Sequence, residues 1–384
     1  MSERPGIHDL PTEILELIFD EYTSPSHFSR SRSSNHFPKN DIEPPACAAL
    51  TLSHVCRLWK SLLRPSHWSR ICVQHTRHPK ILHLLIARSG TQDLDISVRL
   101  GYLCTDFFMP RTLDNVKNEM LVYHTWHTVL DEANRLRSLS VVASRPVLVM
   151  LQKVLGDRQV EYSASSCSSS GSTSLGLSIS APVGSALEVA PLTKRKRPFT
   201  LALKHLSLKQ VDRGGSMTMF EPAWFNFESC TSLRLARTCI GDLRALMAGS
   251  LREMQIVDFR ADDLIRLTHR LEVDGDGGLH YRLKQPPLRF ESLERLEMRN
   301  LFFILGERQV KVFLAAFPNV RELVLDRAHS EIIVRVLIHD MTLLPNLERI
   351  IVQGVEVQMG WRSAPTTLPD GFLEMLDCIL LMDD

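Results

Sequence analysis

One hexad, apolar-x-x-apolar-x-apolar, recurs along this 384-residue chain and restricts its fold more than any other feature. It is met by Leu136-Leu139-Val141, Leu203-Leu206-Leu208, Cys230-Leu233-Leu235, Leu251-Met254-Ile256, Leu293-Leu296-Met298, Val320-Leu323-Leu325 and Leu347-Ile350-Val352. In a chain that is 44% apolar, one match arises readily by chance and has no weight. The spacing supplies the weight. Middle residues from Leu206 onward are separated by 27, 21, 42, 27 and 27 positions, and charged pairs recur inside the hexads: Arg252-Glu253, Glu294-Arg295, Arg321-Glu322 and Glu348-Arg349. Helix-like stretches over 242–248, 307–317 and 330–341 separate them. The pattern predicts units that each lay down a short parallel strand and return by a helix. No such unit can bury its own apolar face, so neighbours must stack. The long gap is read as a degenerate unit near Leu271-Val273.

A period of about 20–29 residues resembles that of leucine-rich repeats and implies an α/β solenoid. A generic α/β domain is the alternative. The array is expected to begin near Pro79, with a helix over 80–88, a strand over 94–98, a helix over 120–135 and a strand over 138–142. Ser163 to Ser174 is too poor in apolar side chains to offset its ordering entropy, so 163–198, ending near Lys194-Arg195-Lys196-Arg197, is expected to be disordered. The array then fills 199–384 and closes with a helix. Residues between the anchors should leave the buried side of the sheet. Arg295, Glu297, Glu322, Val324, Arg349 and Ile351 are therefore expected to line one surface, whose mixture of charge and apolar groups suits a protein substrate.

The N-terminal region follows a different pattern. Leu10, Ile14, Leu17, Ile18 and Tyr22 recur at helical spacing, with Pro11 in the first turn and Glu13 near the positive end of the helix dipole. Leu52, Val55, Cys56, Trp59 and Leu62 repeat the stripe, with Arg57, Lys60 and Ser61 on the other side and Pro65 closing the helix. Two amphipathic helices are common. The order Leu10-Pro11-x-Glu13-Ile14-Leu15, then Val55-Cys56-Arg57-x-Trp59, then Pro65-x-x-Trp68 is less so, and it resembles an F-box. The resemblance implies a docking module at 1–70 that plugs the chain into a cullin-based (SCF-type) ubiquitin ligase through a Skp-type adaptor. Leu10, Pro11, Ile14, Leu15, Ile18, Val55, Cys56, Trp59 and Trp68 would form its adaptor-facing and self-packing surface. The Ser- and Pro-containing stretch over 23–46 is longer than a compact F-box allows, but closure entropy grows only logarithmically with loop length. Such an insertion, and Arg88-Ser89-Gly90 followed by Leu94-Asp95-Ile96, are similar to features of F-box proteins from mushroom-forming fungi. A scaffold that keeps this module but assembles no ligase is the rival reading.

Composition narrows the remaining choices. With 45 basic and 44 acidic residues the net charge is +1, so no global field favours nucleic acid or an anionic membrane. No apolar run reaches the ~18 residues of a membrane span, and the eight cysteines form neither a dense framework nor a Cys-x-x-Cys pair. A cytoplasmic protein with reduced thiols is expected, and the basic cluster near Lys194 is a candidate nuclear import signal. The nucleotide-binding glycine motifs, the His-Glu-x-x-His motif and the serine nucleophile elbow are missing, so no catalytic residue, cofactor or metal is assigned. His75/His78 and His124/His127 lack companion ligands at metal spacing. Asp274-Gly275-Asp276-Gly277-Gly278 lacks the closing carboxylate of a calcium loop.

Overall fold

A strand with one buried face must alternate, since successive side chains point to opposite sides. The strand Leu94–Leu100 does so strictly: Leu94, Ile96, Val98 and Leu100 are buried, while Asp95, Ser97 and Arg99 are half-buried. The computed structural model of the chain describes residues 10–23, 48–74, 79–100, 113–167, 199–212, 217–241, 246, 249–259, 269–273, 279–283, 289–301, 306–352 and 355–358.

Four helices come first: α1 (Thr12–Thr23), α2 (Ala48–Ser53), α3 (Arg57–Leu62) and α4 (Pro65–Trp68). The main sheet then takes β1 (Arg70–Val73), β2 (Leu94–Leu100), β3 (Leu136–Ala143), β5 (His205–Gln210), β8 (Ser232–Ala236), β10 (Glu253–Val257), β13 (Arg295–Arg299), β14 (Glu322–Leu325), β15 (Arg349–Val352) and β16 (Val355–Gln358), side by side in that order. Every pair is parallel except the last, which is antiparallel. The sheet therefore grows in one direction as the chain advances. The protein is α/β, with a large parallel sheet.

All three apolar anchors of each of the seven hexads are buried, and they fall into one core. The strand registers put their middle anchors opposite one another, and the row runs unbroken through Ile71, Ile96, Leu139, Leu206, Leu233, Met254, Leu296, Leu323 and Ile350. Helices α5 (Pro79–Arg88), α6 (Leu113–Asp131), α7 (Arg145–Cys167), α8 (Glu307–Leu314) and α9 (Arg327–His339) contribute to that core through residues such as Leu85, Trp126, Leu151, Phe313 and Val334. In the middle of the array two short strand pairs supplement the helices. They are β4 (Leu201–Ala202) with β7 (Phe225–Asn226), and β6 (Thr218–Phe220) with β9 (Thr238–Ile240).

Two recurrent contacts tie each unit to the next. The carbonyls of Lys204, Thr231, Arg252, Glu294 and Arg321 each accept two backbone N–H groups from the following unit, for example from Arg321 at 2.8 Å and Glu322 at 3.0 Å onto Glu294. A polar side chain just before the first hexad anchor donates back to the preceding unit. Ser250 donates to the Glu228 carbonyl at 2.6 Å, Ser292 to Gly249 at 2.9 Å, Asn319 to Glu291 at 2.7 Å and Asn346 to Pro318 at 3.3 Å. Arg237, Asp258 and Asn300, immediately after β8, β10 and β13, turn the chain out with φ of 53°, 57° and 49°.

Several sequence expectations change. The Leu271-Val273 stretch is no strand of the main sheet: β11 (His269–Val273) pairs antiparallel with β12 (Leu279–Leu283), and β10 pairs directly with β13. The 42-residue interval thus holds a hairpin excursion. The sheet begins at Arg70, ahead of the expected boundary at Pro79. Helix α7 runs on through Cys167, into the Ser-rich segment expected to lack order, because extending an existing helix gains a hydrogen bond per residue at little propensity cost for Ser. The rest of that segment, the basic cluster, the loop over 24–47, His75, His78, Asp274 to Gly278 and the expected C-terminal helix lie outside the described residues. The stripe from Leu52 to Leu62 is two helices, broken at His54-Val55. Cys56 caps the second, its Sγ accepting from the Trp59 N–H at 3.5 Å. Pro65 starts a further short helix, at a position where its missing N–H costs nothing.

Candidate functional site

The N-terminal helices carry their own small core. Leu15, Phe19, Leu52 and Trp59 are buried together, and the Phe19 and Trp59 rings meet edge to face with centroids 5.0 Å apart. The polar side of α1 is also engaged. Glu16 pairs with Arg64, and the buried His67 accepts the Arg64 backbone N–H on Nδ1 at 2.9 Å. That leaves His67 Nε2 as the protonated nitrogen, donating to the Asp20 carboxylate at 3.0 Å.

The rest of α1 faces outward. Leu10, Ile14, Leu17, Ile18 and Tyr22, the stripe that periodicity selects, are the exposed residues, Leu17 most of all at 64%. Leu15 and Phe19 form the inner face. The helix is apolar on two sides, so periodicity alone picks the wider one. Val55 and Leu58 are also exposed. Of the residues assigned to an adaptor-facing and self-packing surface, Leu10, Pro11, Ile14, Ile18 and Val55 thus reach solvent, and Cys56 does so partly. Leu15, Trp59 and Trp68 are internal and serve packing.

Trp68 belongs to the large core, as does Ala49 of α2, and Leu63 packs against both cores. The Arg88 guanidinium lies 4.5 Å from the Trp68 ring centroid, within cation–π range. Ser89 is fully buried, donating to the Ile86 carbonyl and accepting from Arg135 at 2.7 Å. Arg135 also reaches the Gln92 carbonyl and Glu132. Gly90 follows α5 with φ of 58°, the left-handed turn that favours glycine after a helix. The Arg88-Ser89-Gly90 triplet is therefore a joint that seats the helical cluster on the first strands.

The second candidate surface is the sheet face opposite the core. Its registers align Arg295, Glu322 and Arg349 in one row, and Glu297, Val324 and Ile351 in the next. Arg295 pairs with Glu322 at 2.8 Å and lies 3.7 Å from Glu297, Arg349 pairs with Glu322, and Arg299 with Glu297. The rows are continuous, as expected, but not all of them project. Glu297, Glu322 and Val324 are buried at 9%, 7% and 4%, the carboxylates enclosed by their arginines; Arg295 and Ile351 are half-buried, and only Arg349 is exposed.

The open part of this face lies further back. A groove of about 390 Å³ crosses β3, β5, β8, β10 and β13, lined by Ser140, His205, Ser207, Arg234, Gln255 and Glu297 among others. The same strand alternation that places Arg295 outward also places Ser138, Ser140, His205, Ser207, Ser232, Arg234, Glu253 and Gln255 there. Sequence reasoning stopped at the charged C-terminal strands and missed them. Burial between neighbouring strands lowers the Arg234 guanidinium pKa, an effect Glu297 opposes. Behind the sheet, burial pushes the Cys230 thiol up to about 11.

Among the described residues, no group of three or more His, Cys, Asp or Glu is placed to hold a metal, and no helix is long and apolar enough to cross a membrane. His127 instead lies tilted against Tyr123, ring centroids 4.4 Å apart, and contacts Arg158 at 3.1 Å. The chain matches no known family model, and no curated protein sequence resembles it significantly.

Proposed function

We propose that this chain is the substrate-recognition subunit of an SCF-type ubiquitin ligase. On this reading the N-terminal helices are an F-box that docks a Skp-type adaptor and its cullin, and the strand array is a leucine-rich-repeat-like solenoid that holds a protein substrate. The chain itself supplies no catalytic group. It contributes proximity, raising the effective concentration of a substrate lysine near a charged conjugating enzyme. The observation that carries the reading is the outward apolar set Leu10, Ile14, Leu17, Ile18, Val55 and Leu58, on a module whose Glu16 and Asp20 are engaged by Arg64 and His67. Exposed apolar groups gathered on a small module suit a stable protein partner. The one-way sheet with its repeated interunit contacts supports the solenoid half of the reading.

Co-expression with a Skp-type adaptor provides the test. The Ile14→Glu, Leu17→Glu double variant should lose adaptor capture while nearly keeping its melting temperature, because both residues are exposed and outside the Leu15, Phe19, Leu52 and Trp59 core. Undiminished capture by this variant would sink the F-box assignment.

A further inference from the structure

The groove on the open sheet face has one cation with capacity to spare. Arg295 and Arg299 both reach carboxylates of their own, Glu322 and Glu297 among them. Arg234 makes no hydrogen bond or close ion pair with any described residue, although strand pairing places Ser207 on one side of it and Gln255 on the other. Gln255 donates through its Nε2 to Glu297, and Arg234 makes no hydrogen bond to it. Hydroxyls from Ser138, Ser140, Ser207 and Ser232 line the rest of the floor, with His205 beside them. The exposed Arg234 guanidinium, with its five N–H donors, therefore lines a polar groove without an acceptor among the described residues.

We propose that this groove binds a peptide carboxylate, held by Arg234 in a bidentate pair and flanked by the serine hydroxyls. The inference rests on reading the open sheet face as the capture surface. Planar two-point geometry is what an arginine fork and a carboxylate share. The neighbouring charges choose between anions. Glu253 and Glu297 also line the groove and repel a dianionic phosphate more than a singly charged carboxylate. A volume of about 390 Å³ lies within the range of ligand-sized clefts and takes a few residues rather than a folded domain. The carboxylate can come from an Asp or Glu side chain or from a free chain end.

The test uses the full chain labelled with ¹⁵N at arginine side chains, titrated at fixed ionic strength with four blocked tripeptides and followed by NMR. Acetyl-Ser-Glu-Ser-amide offers a side-chain carboxylate, and acetyl-Ser-Ser-Ser with a free end offers a terminal one. Acetyl-Ser-Gln-Ser-amide is neutral, and acetyl-Ser-phosphoSer-Ser-amide is dianionic. The Arg234 Nε signal, assigned by its loss in Arg234→Gln, should shift with one or both carboxylate peptides, and the stronger of the two identifies the source. Arg234→Gln should weaken that binding by roughly tenfold or more, and Arg234→Lys, which keeps charge without the fork, by several-fold. Equal response to the Glu and Gln peptides, tighter binding of the phosphopeptide, or full retention by Arg234→Lys would each overturn the proposal. Adaptor capture is measured separately, so failure here leaves the docking assignment standing. The capture-surface reading is tested apart by charge reversal at Arg295 and Arg349, which should abolish substrate binding and its salt dependence.

Discussion

At the scale of single residues, two side chains show how burial and backbone geometry become measurable. Cys230 is 1% exposed, and its thiol is pushed from 9.0 to about 11, mainly by desolvation. Between pH 9 and 11 the unfolded chain ionises this thiol and the folded chain does not. The associated stability is present below pH 9 and lost as pH rises through 11, about 2–3 kcal/mol in all. Urea melts across that window should show the loss in the parent, and Cys230→Ala should lack this component. Asn300 holds φ at 49°, a conformation that costs a β-branched residue about 1–2 kcal/mol. Asn300→Val should therefore lower the melting temperature, whereas Asn300→Gly should leave it nearly unchanged; equal effects would mean the side chain, not the backbone, matters there. Such positions are hard to find from sequence. Asp258 and Asn300 are of the types that most readily take this conformation, but Arg237 is not, so residue type alone does not mark the three as equivalent.

At the scale of elements, sequence periodicity and structure agree where one answer satisfies the pattern and part where two do. Leu296, Leu323 and Ile350 were legible as anchors because their hexad recurs at a 27-residue spacing, which one register of the sheet satisfies. In α1 a Leu10-Ile14-Leu17-Ile18 face and a Leu15-Phe19 face compete, and only Trp59 packing on Phe19 decides between them. Ser250, Ser292, Asn319 and Asn346 were also legible in principle, as polar residues at one fixed place before each hexad, but a search confined to apolar positions passes over them. Trp59→Ala should cost about 3–5 kcal/mol of local stability and unfold the N-terminal helices, detected as lost helical circular dichroism, because that ring is core and not interface. The hairpin β11/β12 makes the opposite case. Leu271 mimics an anchor in sequence, yet its strand pairs away from the main sheet. Replacing His269–Leu283 with a short Gly-Ser linker should shift stability by less than about 1 kcal/mol, since β10 and β13 already pair without it. A collapse of the cooperative melt would show that the hairpin completes the core.

At the scale of the whole molecule, the anchors hold the sheet together from Ile71 to Ile350, while the charges decide which unit follows which. Glu253, Arg295, Glu322 and Arg349 face one another in consecutive strands, and the residues just before them, Arg252, Glu294, Arg321 and Glu348, carry the opposite signs. Arg252 approaches Glu294 at 3.8 Å and Arg321 approaches Glu348 at 3.7 Å, while the second row closes through Arg295, Glu322 and Arg349. Each exposed pair is weak alone, but like charges set directly opposite are destabilising. The order of the two charges therefore gives each of these four units a parity. Excising Asn300 to Asp326, one whole unit, would set Arg295 against Arg349 and Glu294 against Glu348. That deletion should melt at lower temperature than the same deletion carrying Glu348→Arg and Arg349→Glu. An array with this parity is free to lengthen or shorten in twos, and any odd step must be repaired by exchanging two neighbouring residues.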